Sequence, residues 1–504
     1  MVRTIKNYII FYKQRGTSFC KEYLIYKLLI AIYSLFTYSL LATEVPKISG
    51  IELSGNSYFS DNRIFALLGK ASNDGYDINS LDFFLKEVLD LYLSHSFLFV
   101  KVELVEIICL EDRFIAKINI DEGQIVKIEN IILQGNKVTR ENRLIRESKI
   151  QLAKPLTPDA IEEAEKRITN KRYILSANVI PVDQNTLLID VKEGEMTFIS
   201  AIFGYTTTKD KKNQFQGFMN AEFLNLMGTD RNFGLKWSSF DYKEVAQLQY
   251  HESGVVNVPI SADLKINREQ QDSTYVKTEI GTELFYDFQY QKIGLSLCNL
   301  DIYPGSREPK LLEKQTDSTI GFIWQGKYTD NNFNPTSGWN LSFANHNIFV
   351  KKGSESLYRY RVEAMIENYL TVTEHLSVAN KAQIKHLQNK SLTMYDLIKT
   401  GGTFSIRGFH EDAYAGNSIF YTNSELRYAL SRFSRFFIFA DYGYVEDNRP
   451  DFKNRFYDLV GLGIGLRIQT RIGTIRMDYG ISHADKKWMN PMDGIIHFGV
   501  EAAF

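Results

Sequence analysis

Over its C-terminal three-fifths the chain alternates apolar and polar positions with period two, broken at intervals by polar turns. Ile496, Phe498, Val500, Ala502 and Phe504 fall on one face of the last such run, with His497, Gly499, Glu501 and Ala503 on the other. Leu462, Ile464, Leu466 and Ile468 alternate with Gly463, Gly465, Arg467 and Gln469, and Ile475, Met477, Tyr479 and Ile481 with Arg476, Asp478, Gly480 and Ser482. A strand with lipid on one side and water on the other needs this pattern, because each charge kept on the inner face avoids a cost of several kcal/mol in lipid. From about Phe198 to Phe504, at just under about twenty residues per strand and turn, the pattern predicts about sixteen strands. The reading is a transmembrane antiparallel β-barrel over residues 196–504.

Upstream the period changes. Ile51-Glu52-Leu53-Ser54-Gly55-Asn56 returns as Ile131-Ile132-Leu133-Gln134-Gly135-Asn136, and Asp121-Glu122-Gly123 returns as Lys192-Glu193-Gly194. Each copy opens on a strand and a Gly-Asn turn, continues into two helical stretches and closes on two strands. Leu81, Leu85, Val88, Leu89 and Tyr92 recur at helical spacing in the first copy. In the second, Thr157-Pro158 caps a helix carrying Ile161, Ala164 and Ile168. These are two α+β modules, over 46–124 and 125–195.

Before them, Arg3, Lys6, Lys13, Arg15, Lys21 and Lys27 precede an uncharged run from Leu28 to Leu41 that ends at Ala42. A run of about fourteen residues is short for a membrane-spanning helix, which needs about twenty, so 1–42 reads as a signal peptide.

Composition narrows the function classes. Lys and Arg total 59 against 60 Asp and Glu in 504 residues, which leaves no basic field for nucleic acid. Aromatic residues make up 13% of the chain, in keeping with interfacial girdles around a barrel. Cys20, Cys109 and Cys298 and the eight histidines show no spacing for a disulfide or a metal. Gly461-x-Gly463-x-Gly465 lacks the strand–turn–helix context of a nucleotide loop and reads as small inward positions. With no nucleophile–base pair in the modules either, the chain is not expected to be an enzyme.

One loop carries candidate chemistry. Gly401-Gly402-Thr403-Phe404-Ser405-Ile406-Arg407-Gly408-Phe409 lies between two strand-like runs and contains one arginine. Arginine presents a rigid fork of donors suited to carboxylates. Downstream, Glu425 shares an inward face with Tyr421, Asn423 and Arg427, and Asp441 shares one with Phe439 and Gly443. The expectation is that Arg407 folds back into the barrel and pairs with one or both acids.

That loop, the Phe439-x-Asp441-x-Gly443 run and the terminal Phe504 together resemble the superfamily of BamA/TamA-type outer-membrane barrel-assembly proteins. In that superfamily POTRA modules precede a bacterial surface antigen barrel, and the two-partner secretion transporters are related to it. Asn220–Thr229, Asn334–Trp339 and Ile472–Asp478 are similar to further phrases of these barrels. The two N-terminal modules resemble POTRA domains, with Ser96 at a position where the family has glycine and Arg172-Tyr173 as the nearest trace of that landmark in the second. The resemblance implies that Arg407, Gly408 and Phe409 form the tip of a loop tucked into the pore, with Glu425 and Asp441 as partners and Phe439 and Gly443 in the supporting strand motif. It gives Phe498 and Phe504 to the C-terminal signal by which barrels are recognised. It implies a location in the bacterial outer membrane with the POTRA domains in the periplasm, and no cofactor. Expected partners are unfolded outer-membrane or secreted client proteins, outer-membrane lipid, and periplasmic chaperones or accessory lipoproteins. The function implied is assembly or insertion of outer-membrane proteins at a lateral seam. The alternative is a two-partner secretion transporter, and a third class is a porin or adhesin anchor.

Overall fold

The structure, a computed structural model, describes residues 48–68, 76, 78–110, 113–207, 213–240, 243–254, 258–271, 274–288, 290–305, 313–388, 390–393, 395–449, 455–470, 473–485 and 487–501. The signal peptide expected over 1–42, with Cys20, and the terminal Phe504 lie outside these residues. The chain divides into two compact units, Met1–Gln124 and Ile125–Phe504.

The first unit is one module: β1 (Ile48–Ser54), α1 (Asp61–Phe65), α2 (Ile78–Ser94), β2 (Lys101–Leu110) and β3 (Arg113–Asp121). Its sheet has the order β1-β3-β2, with β1 parallel and β2 antiparallel to the central strand. Ala116, Ile118 and Ile120 are buried at alternate positions of β3, and Leu81, Phe84, Val88 and Tyr92 are buried along one face of α2. Helical spacing alone puts Leu85 and Leu89 on that face; both are only half-buried and Phe84 is buried instead. The true stripe follows i, i+3, i+4 spacing through the large ring, which removes more apolar surface from water than either leucine. Ser96 is buried at φ 70°, a left-handed conformation that a glycine adopts without strain.

The second module repeats the plan with β4 (Asn130–Gln134), α3 (Glu141–Ser148), α4 (Pro158–Thr169), β5 (Ile174–Pro181) and β6 (Thr186–Glu193), in the order β4-β6-β5. Thr157 caps α4, its side chain accepting from the N–H of Ala160 at 3.3 Å. The repeated residues do the same work in both copies. Gly55 and Gly135 have φ of 84° and 83°, and a Cβ there would lie 2.3 Å from the Ile120 carbonyl and 2.0 Å from the Val191 carbonyl. Asn56 and Asn136 each donate to a carbonyl three residues on, at 3.0 Å. The repeated glutamate then accepts from the backbone after the turn: Glu122 from the N–H of Ser57 and Tyr58 at 2.8 Å, Glu193 from Lys137 and Val138 at 3.0 Å and Thr139 at 2.8 Å.

Burial alone would raise both carboxyls, but these hydrogen bonds, with those from the Ser57 hydroxyl and Tyr92 on Glu122, hold them below the ordinary glutamate value of 4.5. A depressed carboxylate contributes stability that is in place above its unfolded value and fades as the pH falls through the folded one. Glu122→Ala and Glu193→Ala are each expected to cost their module about 1–3 kcal/mol, because several backbone donors lose their acceptor. Urea unfolding of the two variants, compared with the parent at pH 7 and in acid, measures this.

Among the described residues, seventeen strands of the second unit have the order of a closed barrel. They begin with β7 (Thr197–Thr207), β8 (Asn213–Leu226), β9 (Arg231–Phe240), β10 (Lys243–Glu252), β11 (Ile260–Gln271), β12 (Tyr275–Phe288), β13 (Gln291–Pro304), β14 (Gln315–Thr329), β15 (Gly338–Lys352), β16 (Glu355–Thr371) and β17 (Leu376–Leu387). A short ribbon, β18 (Ile398–Thr400) and β19 (Tyr414–Gly416), stands in the next loop. The barrel resumes with β20 (Ser418–Ala429), β21 (Arg435–Asp447), β22 (Arg455–Thr470), β23 (Gly473–Ala484), β24 (Lys487–Trp488) and β25 (Ile495–Glu501). Because β24 and β25 pair end to end along the same edge of β23, the seventeen strands fill sixteen positions. Residue registers run antiparallel from β7 to β9 and on through β25. In the barrel order β7 follows β25, with no paired register between them among the described residues.

The alternation read from the sequence is the in–out pattern of the wall. On β25, Ile496 and Phe498 are 65% and 61% exposed on the outside while His497 is 7% exposed within. On β21, Phe436, Ile438 and Tyr442 face out, and Phe437, Phe439 and Asp441 are buried inside. Among the described residues no helix is long and apolar enough to cross a membrane.

Candidate functional site

The loop between β17 and β20 turns back into the lumen. Its stalk is the β18–β19 ribbon, and its tip is a tight chain reversal in which the Gly402 N–H donates to the Ile406 carbonyl at 3.0 Å. Asn423 of β20 donates to the Ser405 carbonyl at 2.6 Å. These contacts fix the backbone just before Arg407.

Arg407 is 3% exposed. Its Nε and Nη2 donate in parallel to Oδ2 and Oδ1 of Asp441 at 2.8 and 2.7 Å, and its Nη1 donates to Oε1 of Glu425 at 2.5 Å. The backbone N–H of the same residue donates to Asp441 Oδ2 at 2.9 Å. The second oxygen of Glu425 accepts from Nε of Arg427 at 2.7 Å. The guanidinium carbon lies 3.8 Å from the centre of the Phe439 ring, stacked on its face. Three strand-borne groups therefore address one planar cation from three directions. A lysine could make no such two-point contact with Asp441.

The acids are brought together by register. Asp441 pairs with Asn423, and Glu425 with Phe439, two residues along the same inward face. The wall beside them is hollowed out for the loop. Gly461 lies across from Asp441, and a Cβ on it would come 1.9 Å from the Arg407 carbonyl oxygen. At Gly443 a Cβ would meet the Ile406 side chain at 2.0 Å. Gly408 itself has φ 87° and presses against the Ile481 backbone of β23. Ile406 and Phe409 are buried with Ile419, Tyr421, Val445 and Leu459, so apolar packing surrounds the ion pairs and excludes water from them. Gly461 thus leaves room for the loop backbone, and Gly463 for the Phe439 ring, which a Cβ there would approach to 2.6 Å.

Two further features join segments far apart in the sequence. A second cluster lies beside the first: Arg467 holds Asp478 with two hydrogen bonds at 2.7 and 2.9 Å, Arg476 Nε reaches the same acid at 3.1 Å, and Arg476 Nη2 donates to the Thr403 carbonyl of the loop. Alternation places these side chains inward, but nothing local connects them to the loop.

The other feature is at the opposite end of the barrel, where the second module sits on the strand turns. Asp230, in the turn after β8, accepts from Arg143 Nη2 at 2.5 Å, Lys171 Nζ at 2.8 Å and the Tyr173 hydroxyl at 2.9 Å. Asn225 donates to Thr139 Oγ1 at 2.8 Å, the Arg140 N–H donates to the Gly228 carbonyl at 3.0 Å, and Arg172 pairs with Glu222. Arg432, in the turn between β20 and β21, donates to the Ile174 and Leu175 carbonyls at 3.2 Å. Burial alone would raise the Asp230 carboxyl, but Lys171 and Arg143 bring it down to about 2. Burial would lower the Lys171 ammonium, yet Asp230 and Glu147 hold it above the ordinary lysine value. The Asn220–Thr229 phrase singled out in the sequence ends in this docking turn.

Of the remaining candidates, Phe498 faces outward on β25, away from the lumen loop. Among the described residues no group of His, Cys, Asp or Glu could hold a metal ion. The arrangement is a lumen loop held by charge, with a docked module at the far mouth.

Comparison with known proteins agrees with this geometry. The family described as the surface antigen variable number repeat, POTRA, matches residues 126–194. The structure of BamA from Haemophilus ducreyi lacking POTRA domains 1–3 is similar over 90% of this chain and 98% of that one, at 17% identity and TM-score 0.56, a likeness of fold. CdiB from Escherichia coli covers 96% of this chain and 98% of its own, at 14% identity and TM-score 0.46. The Omp85 superfamily domain matches residues 199–504, which takes in nearly the whole barrel and its arginine loop, and the chain belongs to the Omp85 superfamily.

Proposed function

We propose that this protein works in a bacterial outer membrane as an assembly or insertion factor, receiving unfolded clients through its periplasmic POTRA modules and inserting them at a lateral seam of the barrel. The observation that carries this reading is the short attachment of the last strand. Among the described residues β25 pairs with β23 over seven residues, Thr474 to Gly480, against fifteen between β14 and β15. A client strand pairing along the β7-facing side of β25 would keep its backbone groups hydrogen-bonded in lipid, where unpaired ones are costly. No cofactor enters this scheme; the client's own burial and pairing supply the driving force. Arg407, Glu425 and Asp441 would keep the pore plugged while the seam works.

A two-partner secretion transporter is the second reading, favoured by the pair of modules, Ile48–Asp121 and Asn130–Glu193, ahead of one barrel. Depleting the protein and quantifying the outer-membrane proteome separates the two. Loss of many barrel proteins is expected for assembly; loss of a single secreted protein with the other barrels unchanged would replace that reading with secretion.

A further inference from the structure

The lumen loop has a second buried ion pair, on a different wall from Arg407. Arg359 of β16 is 2% exposed, and its Nη1 lies 3.0 Å from Oδ1 of Asp396, at the base of the loop. Its Nε and Nη2 donate to the carbonyls of Lys390 and Ser391 at 2.8 and 2.7 Å. All three nitrogens of this guanidinium are thus engaged by the loop. Asp396 is shaped to receive it: its other oxygen accepts from the N–H and hydroxyl of Thr393, both at 2.7 Å, and Gln315 of β14 donates to its Oδ1 at 2.9 Å. Lys277 of β12 donates to the neighbouring Tyr395 carbonyl at 2.8 Å. Leu392 and Leu397 are buried with Ile348, Val350 and Leu387, so the pair lies against an apolar floor.

We infer that Arg359 and Asp396 are the loop's second anchor: they hold its stalk to the β14–β16 wall and so position the tip at which Arg407 meets Asp441 and Glu425. A chain segment tied at one end swings; tied to two walls, it spans the lumen. A buried arginine with three bonds into a loop adds little to the wall alone, since the strands already satisfy their own backbone groups and its desolvation is costly. The two anchors make different demands on anything that displaces the loop. The tip can leave its acids while the stalk stays fixed, whereas loss of the Asp396 contact frees the segment that carries both ribbon strands. Arg359 and Asp396 are positioning residues acting through the loop, and the inference holds whether the protein assembles barrels or secretes one client.

The test uses the full chain, folded in lipid, with Arg359→Gln, Asp396→Asn and Arg359→Lys. Trypsin cleavage after the exposed Lys390 reports stalk release, bilayer conductance reports the plug, and heat-modifiability reports the barrel. Both charge-removing variants are expected to raise cleavage by about tenfold or more and to raise conductance, because proteolysis follows the population of the opened segment. Arg359→Lys, which keeps the charge but loses the fork, should fall between them and the parent. Cleavage and conductance that match the parent in both folded variants would overturn the inference. So would cleavage that rises only in step with loss of the folded band, which indicates a role in the wall alone. If Arg359→Gln does not fold, Asp396→Asn, which keeps the side-chain shape, decides; failure of both to fold also counts against a positioning role.

Discussion

Arg407→Ala is expected to destabilise the barrel by about 3–5 kcal/mol, the cost of breaking a buried ion pair from one side. The loss should fall unevenly on the two acids. Glu425 keeps Arg427, which reaches its other oxygen at 2.7 Å. Asp441 loses both guanidinium hydrogen bonds at once and keeps the backbone N–H of residue 407 only while the tip stays seated. It would be left as a buried carboxylate behind a displaced loop. Adding Asp441→Asn to Arg407→Ala should therefore recover part of the stability, while adding Glu425→Gln should recover little. Neither double variant should restore the loop, because the bonds that seat the tip are still missing. The temperature at which the folded band shifts on a semi-native gel, followed through this mutant cycle, gives the coupling energies directly. A normal shift temperature for Arg407→Ala alone, with unchanged growth, would show that the arginine is not what holds the site together. Gly461→Val approaches the same end by another route. A Cβ at Gly461 would lie only 1.9 Å from the Arg407 carbonyl oxygen, so the valine should expel the tip and part the ion pairs with Arg407, Glu425 and Asp441 all unchanged.

What can be read from the residues alone follows a physical divide. Period-two alternation is local, so the strands, their inward faces and the number of barrel positions are open to inspection. Glu425 and Asp441 lie on inward faces for that reason. The repeat from Gly55-Asn56 to Gly135-Asn136 is legible because each turn has the same backbone demand and the same glutamate closing over it. Helical periodicity is less exact: it gives the buried side of α2 but favours Leu85 and Leu89 over Phe84, since spacing fixes a stripe only to within a residue and packing chooses its centre. The contacts between distant segments carry no local mark. Arg359 and Asp396 belong to no motif, and their pairing depends on a loop crossing the lumen. The same holds for Asp230, whose partners Arg143 and Lys171 come from another domain altogether.

Asp230→Asn is the second variant with a large expected effect, and it concerns how the second module stays on the barrel. The substitution keeps the shape of the side chain and removes the one charge that Arg143 and Lys171 share, leaving Lys171 with Glu147 at 3.0 Å and the half-buried Arg143 facing a neutral amide. Docking should weaken by several kcal/mol, about the penalty for half of a buried ion pair. Arg172 with Glu222 and Arg432 with the β5 carbonyls would remain, so the module should loosen without unfolding. Cysteines placed at Thr139 and Asn225, whose side chains touch at 2.8 Å, report the docked state by their cross-linking yield. The pH dependence has a definite sign. Asp230 is depressed from 3.8 to about 2, so its contribution of about 2–3 kcal/mol is present above 3.8 and disappears as the pH falls through about 2. Lys171 is raised above 10.5, so its contribution is complete below that value and is lost only in stronger alkali. Between about pH 4 and 10 both are in force, and the parent's cross-linking yield, divided by that of a fixed cysteine pair in the barrel wall to remove the pH dependence of thiolate reactivity, should be flat across that window and fall only in strong acid. In Asp230→Asn the yield should be low throughout and should lose its acid limb. A variant that cross-links as well as the parent at neutral pH would mean that the Arg172 and Arg432 contacts are enough to seat the module, and that the buried acid serves the turn after β8 alone.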